Sequence, residues 1–334
     1  MTNAPHVRFF KDIIHYFQEE GEDLIITSRE FGDIHSLMDM YNIDFIPVGK
    51  HGVTLAEKLK ENTQRLNDLV DIIKDEKIDI ALSKHSIELP RISFGLKIPS
   101  LYILDNEHAE AANKLTLPLC DRIIAPKIMD IWKLLRYGAD PNKIIRYSGT
   151  SEILHVKSFK YNENIFKDLD LNMEMPKTIF MRPEPSLASY LDADCRKSVL
   201  SPVVDILKDY ANILILPRFK EQTAIFEGIE NVTILKPPLD TSSIIKKCDL
   251  MIGAGGTMNR ESAILKTPVI SCYPGVPLSV DQFYINQGLM FRFNETEKII
   301  NKALSLLSHP NNPVEFETDD LFNIIIENTY DLLK

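Results

Sequence analysis

The stretch DLMIGAGGTMNRESAILKTPVIS, residues 249–271, decides the fold of the second half of the chain. An apolar run comes first, three glycines follow within four positions (Gly253, Gly255 and Gly256), and a segment of helical character comes next. This order predicts a strand, a tight loop and a helix. Glycines at such a junction permit positive φ angles and let a ligand approach the backbone closely.

The start of the predicted helix has the properties of an anion site. Thr257 is a candidate N-cap residue. The free N–H groups and the positive dipole end of a helix N-terminus suit a phosphate. The stretch contains G-x-G-G, which is neither a Walker A loop nor the dinucleotide fingerprint G-x-G-x-x-G. A tight turn without a ligand therefore stays open as the alternative.

The polar residues after the glycines favour a binding role. A turn needs only the glycines and a cap, whereas Asn259, Arg260 and Glu261 add an amide, a guanidinium and a carboxylate. Arg260 is a candidate contact for a phosphate, and Glu261 is a candidate acceptor for ribose hydroxyls. Arg182 and Arg218 each end a predicted strand and are candidates to hold a diphosphate, with solvated surface residues as the alternative.

Strand-like and helix-like patterns alternate along the chain, in which 44% of the residues are hydrophobic. Short apolar runs without polar alternation are typical of strands covered on both faces, which predicts parallel sheets between helix layers. Residues 155–177 are polar and lack a period, so we interpret them as a linker. Two parallel α/β domains follow from this pattern, with a ligand in the cleft that faces the carboxyl ends of the strands.

The boundaries of the predicted domains and elements are as follows. The domains are residues 1–155 and 176–312, with a C-terminal helical segment at 313–334. The predicted strands are 23–28, 45–49, 79–84, 99–106, 121–127, 144–149, 178–184, 213–218, 232–237, 249–255 and 268–273. The predicted helices are 7–17, 54–76, 87–96, 195–210, 241–247, 257–266, 294–308 and 319–333.

The first helix begins after only a few residues, whereas a doubly wound domain ordinarily opens with a strand. We therefore expect the opening strand to be missing, which leaves its neighbours with unpaired backbone groups. A chain extended upstream by roughly ten residues is expected to be more stable. In the segment TNAPH, Asn3 is the predicted N-cap, and His6 is either a surface residue or a ligand contact.

Charge and cysteine content narrow the class of protein. The formal net charge of −10 argues against a nucleic-acid partner, because such proteins usually present a basic face. No apolar run approaches the ~18 residues that span a bilayer. The cysteines are widely spaced and are expected to be reduced thiols of a cytoplasmic protein. They are Cys120, Cys195, Cys248 and Cys272.

Acid–base candidates follow two predicted strands in the first half of the chain. The segment SKHS contributes His85, and the segment DNEHA contributes Asp105, Glu107 and His108. One histidine at a strand end is most often a loop residue, but two histidines with carboxylates make general acid or base catalysis possible. The same set is compatible with a divalent metal, but no tight His/Asp spacing supports one, so no metal is expected.

Several segments together resemble the DUF354 proteins, a largely archaeal group placed with the GT-B glycosyltransferase-like superfamily. The resemblance rests on TNAPHVRFFK, VGKHG, LDNEHA, MRPE, LPR and GAGGTMNRESAILKTPVIS, and it covers nearly the whole chain. It implies a GT-B-like fold, in which two Rossmann-like domains with parallel sheets face each other across a cleft. Members look like relatives of nucleotide-sugar glycosyltransferases and of non-hydrolysing UDP-N-acetylglucosamine 2-epimerases.

The resemblance also implies roles for the glycine segment. In GT-B proteins the second domain holds the donor nucleotide, a glycine-rich loop contacts its phosphate, and a glutamate of the following helix binds its ribose. Carried over, this implies phosphate contacts by Gly253, Gly255, Gly256 and Thr257 and a ribose contact by Glu261. The last helix is expected to cross back to the first domain. The resemblance also implies a strand of the form apolar-x-apolar-Asp just before TNAPH in members of the family.

The leading hypothesis is a glycosyltransferase with a nucleotide-diphosphate sugar as donor, bound in the interdomain cleft, and with no cofactor required. Arginines and helix N–H groups would stabilise the leaving diphosphate. One of Asp105, Glu107 or His108 would deprotonate a hydroxyl of the unidentified acceptor. The alternatives are a sugar epimerase resembling UDP-GlcNAc 2-epimerase, which needs no acceptor, and a non-catalytic nucleotide-sugar-binding protein. The sequence leaves membrane association and the oligomeric state open.

Overall fold

The computed structural model of the protein describes residues 1–167, 169–184, 199–309 and 315–334. The chain forms two compact units. Unit 1 comprises Met1–His155, Leu278–Val280 and Phe316–Lys334, and unit 2 comprises Val156–Pro277 and Asp281–Glu315. Cys195 and the first residues of the predicted helix 195–210 lie outside the described residues.

The strands of unit 1 lie in two separate parallel sheets. They are β1 (Thr27–Glu30), β2 (Ile46–Lys50), β3 (Ala81–Lys84), β4 (Ser100–Ile103), β5 (Arg122–Pro126) and β6 (Ile144–Tyr147). β1 pairs with β2, and β3 to β6 form a four-stranded sheet in sequential order. The backbone of Met1 pairs with β1, since the Arg29 N–H donates to the Met1 carbonyl at 3.1 Å. The expectation of a further strand stays a prediction.

Seven helices of the described chain connect these strands or follow them. They are α1 (Ala4–Glu19), α2 (Ile34–Met40), α3 (Leu55–Ile73), α4 (Glu88–Leu96), α5 (Glu110–Thr116), α6 (Ile131–Arg136) and α7 (Ile153–Ser158). α1 forms because Phe10, Ile13, Ile14 and Phe17 repeat at helical spacing, and all four are buried. α3 begins with a capping box between Thr54 and Glu57, which satisfies backbone donors at its first turn.

Unit 2 is built on one six-stranded sheet in which every neighbouring pair is parallel. Its strands are β7 (Thr178–Arg182), β8 (Asn212–Ile215), β9 (Val232–Ile234), β10 (Leu250–Gly253), β11 (Val269–Ser271) and β12 (Met290–Arg292). The order β12-β11-β10-β7-β8-β9 is that of a doubly wound fold. The order reverses between β7 and β10, and ligands bind at such a switch point, beyond the carboxyl ends of the strands.

The helices of unit 2 cover this sheet. They are α8 (Leu200–Leu207), α9 (Lys220–Phe226), α10 (Thr241–Lys247), α11 (Thr257–Ile264), α12 (Ser279–Asn286), whose first two residues belong to unit 1, and α13 (Thr296–Ser308). All residues of β8, β10 and β11 are buried, as their uninterrupted apolar runs indicate. The prediction of an α/β fold with parallel sheets is confirmed. Among the described residues, no helix is both long and apolar enough to cross a bilayer.

The last helix, α14 (Leu321–Asp331), belongs to unit 1. Phe322 meets Tyr16 of α1 edge to face, with ring centroids 5.5 Å apart. Arg122 at the start of β5 donates to the Asn328 side chain at 2.5 Å. The Asp319 carboxylate accepts from the backbone N–H of Ser148, just after β6, at 2.6 Å. These contacts attach the C-terminal segment to the strands and the first helix of unit 1.

Candidate functional site

The glycine turn, residues 253–256, joins β10 to α11 at the switch point of the unit 2 sheet. Gly256 occupies the N-cap position and Thr257 is the first helical residue, so the prediction of Thr257 as N-cap is wrong by one position. Because the N-cap residue is a glycine, it offers no side-chain cap to this helix end. Residues 255–258 are partly exposed, and the first N–H groups of a helix lack a partner within the helix, which suits an anion.

Close approach, and not backbone conformation, explains the glycines of this turn. None of the three has a positive φ, in contrast to the expectation from the sequence. A methyl group on Gly255 would lie closer than 3.0 Å to the Arg218 guanidinium, and one on Gly256 would meet the Arg260 guanidinium equally closely. The glycines therefore allow two arginine side chains to reach the turn.

Arg218 is held at the turn by its neighbours. Its Nε donates to the Pro183 carbonyl at 2.8 Å, and its backbone N–H donates to the Gln222 side chain at 2.7 Å. Gln222 in turn donates to the Glu184 carbonyl at 2.8 Å. The chain segments after β7 and β8 thus fix the guanidinium beside Gly255.

Arg260 and Arg182 have different surroundings from Arg218. Arg260 is buried and pairs with Asp281 of α12, with 2.6 Å between Nη1 and Oδ1. Its charge is therefore balanced within unit 2. Arg182 donates through Nη1 to the carbonyls of Leu216 and Pro217, at 2.8 and 2.9 Å, so it supports the end of β8.

Asn259 and Glu261 lie on the buried side of α11. The Asn259 amide donates to the Gly253 carbonyl at 2.9 Å and so holds the turn. Glu261 is completely buried, and its Oε1 accepts a hydrogen bond from the Ser242 hydroxyl of α10 at 2.5 Å. The predicted ribose ligand therefore links two helices in this structure.

A second group of polar side chains lies in unit 1, at the carboxyl ends of β3 and β4. Lys84 Nζ is 2.5 Å from Asp105 Oδ2, and His85 Nε2 is 2.8 Å from Asp105 Oδ1. The Ser151 hydroxyl donates to Asp105 Oδ2 at 2.6 Å and accepts from Lys84 at 2.8 Å. We call Lys84, His85, Asp105 and Ser151 the Asp105 cluster. The structure brings together two of the predicted residues, His85 and Asp105.

Glu107 and His108 have separate partners. Glu107 is buried, and its Oε1 accepts from the backbone N–H of Ser279 at 2.6 Å. His108 Nε2 lies 3.5 Å from the same oxygen, which is too long for a strong hydrogen bond. The other oxygen, Oε2, is buried and has no hydrogen-bond partner among the described residues. Glu107 is therefore a buried carboxyl with one oxygen left for a further partner.

Asn3 and His6 lie at the start of α1. Asn3 occupies the predicted N-cap position, but its side chain accepts from Arg29 at 3.3 Å instead of capping the helix. His6 is buried, and its Nδ1 is 3.2 Å from the Thr2 hydroxyl. Burial, reinforced by the charge of Lys84, holds the pKa of His6 well below its usual 6.5.

The buried neutral state of His6 makes stability depend on pH. In the unfolded chain His6 binds a proton as the pH falls below about 6.5, whereas in the folded chain it stays neutral to a lower pH. The folded state should therefore lose up to about 1.4 kcal/mol per pH unit below pH 6.5. His51, whose pKa burial lowers to about 4, acts in the same direction. Urea unfolding between pH 7.5 and 5 measures the slope.

The variant His6→Gln should reduce this slope, because glutamine does not titrate and the slope loses the contribution of the one proton that His6 binds in the unfolded chain. His309→Gln is the matched control, since His309 is exposed. An unchanged slope in His6→Gln would contradict the assignment of a buried neutral imidazole.

Sequence reasoning missed several residues of both groups. Lys84 stands directly before His85 in the quoted segment SKHS, but a lysine after a strand carries no signal of its own. Ser151, Ser242 and Asp281 come from distant parts of the chain, so only the folded structure places them. No group of three or more His, Cys, Asp or Glu residues in the described chain is arranged to hold a metal ion.

Comparisons with known proteins agree with this architecture. The family model described as "Protein of unknown function (DUF354)" matches residues 1–334. An uncharacterized protein of Methanocaldococcus jannaschii is 39% identical over 341 residues, which span 100% of this chain and 97% of that protein.

Solved structures with the same fold include epimerases and a transferase. The UDP-GlcNAc 2-epimerase of Methanocaldococcus jannaschii, in complex with UDP-GlcNAc and UDP, has a TM-score of 0.73 at 15% identity, over 98% of both chains. The enzyme of Neisseria meningitidis, bound to UDP-GlcNAc, has a TM-score of 0.68 at 15% identity, over 99% of this chain and 98% of that chain. A spinosyn rhamnosyltransferase has a TM-score of 0.59 at 10% identity, over 99% and 93%. At these identities the likeness shows a common fold, and it confirms the expected fold. With its whole length matched by the family model, the chain belongs to the DUF354 family.

Proposed function

We propose that the protein binds a nucleotide-diphosphate sugar in unit 2, with the diphosphate at the glycine turn. The observation that carries this proposal is the approach of two guanidinium groups to Gly255 and Gly256, at a helix end whose N-cap residue is a glycine. Backbone N–H groups and a guanidinium together suit a diphosphate. The turn lies at the switch point of the sheet, where doubly wound folds bind ligands.

The proposed reaction is glycosyl transfer. Arg218 and the N–H groups of α11 would stabilise the negative charge that develops on the leaving diphosphate. Glu261 would accept a ribose hydroxyl, taking the place that the Ser242 hydroxyl has in this structure. The acid–base groups for the acceptor would come from the Asp105 cluster or from Glu107. No metal or cofactor is part of the proposal.

Epimerisation of the sugar is the second candidate. That reaction needs acid and base groups around one sugar ring and no acceptor. Unit 1 has two distinct sets of such groups, the Asp105 cluster and the Glu107 carboxyl with its unpartnered Oε2. The two solved epimerases named above carry UDP-GlcNAc, which makes UDP-sugars the first donors to test.

The variant Gly255→Ala tests the binding site. Its methyl group should displace the Arg218 guanidinium, and the dissociation constant for UDP should rise at least about tenfold, equivalent to about 1.4 kcal/mol. The fold should survive, because the displaced group is the end of a flexible side chain. Calorimetry with UDP and UDP-sugars measures the constant.

The matched control is Gly95→Ala, at a helical glycine with open space around it, which should bind UDP as the parent protein does. Equal affinity in Gly255→Ala would contradict the proposed diphosphate position. Incubation with UDP-sugars alone separates the reactions, because an isomer formed without an acceptor indicates an epimerase. Binding of UDP without turnover of any donor would indicate a binding protein.

A further inference from the structure

We propose that His85 transfers the proton in the sugar chemistry of unit 1, with Asp105 as the positioning residue that holds its ring in both protonation states. This inference rests on the proposed function for its substrate, a sugar hydroxyl, but its geometric basis is independent of the nucleotide site. The sequence alone did not separate His85 from Asp105, Glu107 and His108.

The environment of His85 Nε2 is the first argument. This atom lies 2.8 Å from Asp105 Oδ1 and 3.0 Å from the backbone nitrogen of the same residue. The amide N–H can only donate, and an ionised carboxylate can only accept. An unprotonated Nε2 is therefore bonded by the amide, and a protonated Nε2 by the carboxylate. The ring keeps a partner in each state without moving, which leaves Nδ1 to exchange protons.

The other contacts of Asp105 support this division of roles. Lys84 and Ser151 both reach Oδ2, at 2.5 and 2.6 Å, whereas His85 reaches Oδ1. The lysine charge and the serine hydroxyl stabilise the negative charge of the buried carboxylate. Asp105 is thus suited to orient an imidazole, whereas its own oxygens are occupied by donors.

The backbone of His85 is the second argument. Its φ is +49°, in the left-handed region, which histidine adopts less readily than glycine. Such a conformation costs on the order of 1 kcal/mol and is enriched at functional sites. The position directly after β3 turns the ring toward Asp105 after β4. The His85 side chain stays 15% exposed, whereas that of Lys84 is 7% exposed.

The proton balance of the proposed transfer is simple. The acceptor oxygen forms a bond to the anomeric carbon, and the bond from that carbon to the diphosphate oxygen breaks with its electron pair left on the diphosphate. The hydroxyl proton passes to Nδ1 of His85 while Nε2–H donates to Asp105 Oδ1, and it leaves to solvent water afterwards. Among the described residues, the titratable and charged groups beside the imidazole include Asp105, Lys84 and His6 of α1.

Kinetics of His85→Asn provide the first part of the test. Asparagine tolerates the left-handed backbone, so the variant should fold and bind UDP with an unchanged dissociation constant. Turnover of the donor should fall about 100-fold or more, mainly in kcat, and the limb of the pH–rate profile due to the imidazole should disappear. A variant with the parent kcat and pH profile would overturn the proposal.

Long-range proton–nitrogen NMR of the full chain labelled with ¹⁵N-histidine provides the second part, and it needs no substrate. The two partners of Nε2 should give neutral His85 a mixture of both tautomers, with intermediate shifts for both nitrogens. In Asp105→Ala only the amide remains, so the proton should move to Nδ1. Asp105→Asn serves if the alanine variant does not fold, and the His108 signals are the internal control.

A single tautomer that is the same in the parent protein and both variants would overturn the proposal. Failure of the nucleotide proposal has a different signature, namely no binding of UDP to the parent protein, and the NMR result then still decides the role of Asp105. The tautomer change reports that Asp105 positions the ring, and the loss of kcat together with the imidazole limb of the pH profile in His85→Asn supports proton transfer, because a purely structural histidine would leave the pH profile unchanged.

Discussion

Replacing Lys84 with methionine is expected to lower the free energy of unfolding by about 3–5 kcal/mol. Lys84 and Asp105 are both buried, and 2.5 Å separates Nζ from Oδ2. Methionine matches the length of the lysine stem but leaves the Asp105 carboxylate with less compensation in a medium of low dielectric constant. The substitution also removes the ammonium group 4.8 Å from the centre of the Phe9 ring.

Urea unfolding followed by circular dichroism measures this loss. The matched control is Lys298→Met, because Lys298 pairs with Glu295 at 2.6 Å but both side chains are more than half exposed. Exposed pairs of this kind contribute about 0–1 kcal/mol. A loss below about 1 kcal/mol in Lys84→Met would contradict a tightly coupled Asp105 cluster.

Replacing Gly52 with alanine is expected to cost at least about 2–3 kcal/mol of stability. A methyl group at this position would lie closer than 3.0 Å to the backbone carbon of Glu57 and the backbone nitrogen of Lys58. These atoms belong to the first turns of α3, which its capping box holds in place. The backbone of a helix cannot rotate away from the methyl group as the end of a flexible side chain can. The loop or the helix therefore has to shift.

Thermal and urea unfolding measure the effect of Gly52→Ala against the control Gly95→Ala. Gly95 lies in α4, and outside its own helix no atom of the described residues lies within 4 Å of an added methyl group, so alanine there should be neutral or stabilise by up to about 1 kcal/mol. Equal stability of the two variants would show that the loop before α3 moves away without cost.

Uninterrupted apolar runs made the sheets predictable from the sequence, because strands covered on both faces leave a strong signal. The strands β7, β10 and β11 lie within the predicted segments for this reason, and β8 begins one residue before its predicted segment. β12 was missed, since Met290–Arg292 is too short to show a pattern. Short helices such as α2, α5 and α6 lack the two turns over which an apolar face becomes visible.

The candidate site was predictable only in part, because its chemistry depends on contacts between distant residues. The glycine segment predicted a strand–loop–helix junction, and the structure has such a junction there. The reason for the glycines was different, since it lies in Arg218 and Arg260, whose approach no local pattern reveals. Likewise, SKHS and DNEHA supplied His85 and Asp105, whereas Ser151 joins them from 46 positions beyond Asp105.

The membership of residues 316–334 in unit 1 has a consequence for synthesis in the cell. During translation residues 1–155 emerge from the ribosome first. The residues that contact Tyr16, Arg122 and Ser148 lie in the segment 316–334 and are synthesised later. Unit 2 lies between these parts of the chain, so its sheet is fully translated before unit 1 can close. The nascent N-terminal half therefore has to remain soluble with part of its apolar surface uncovered until translation reaches the final helix.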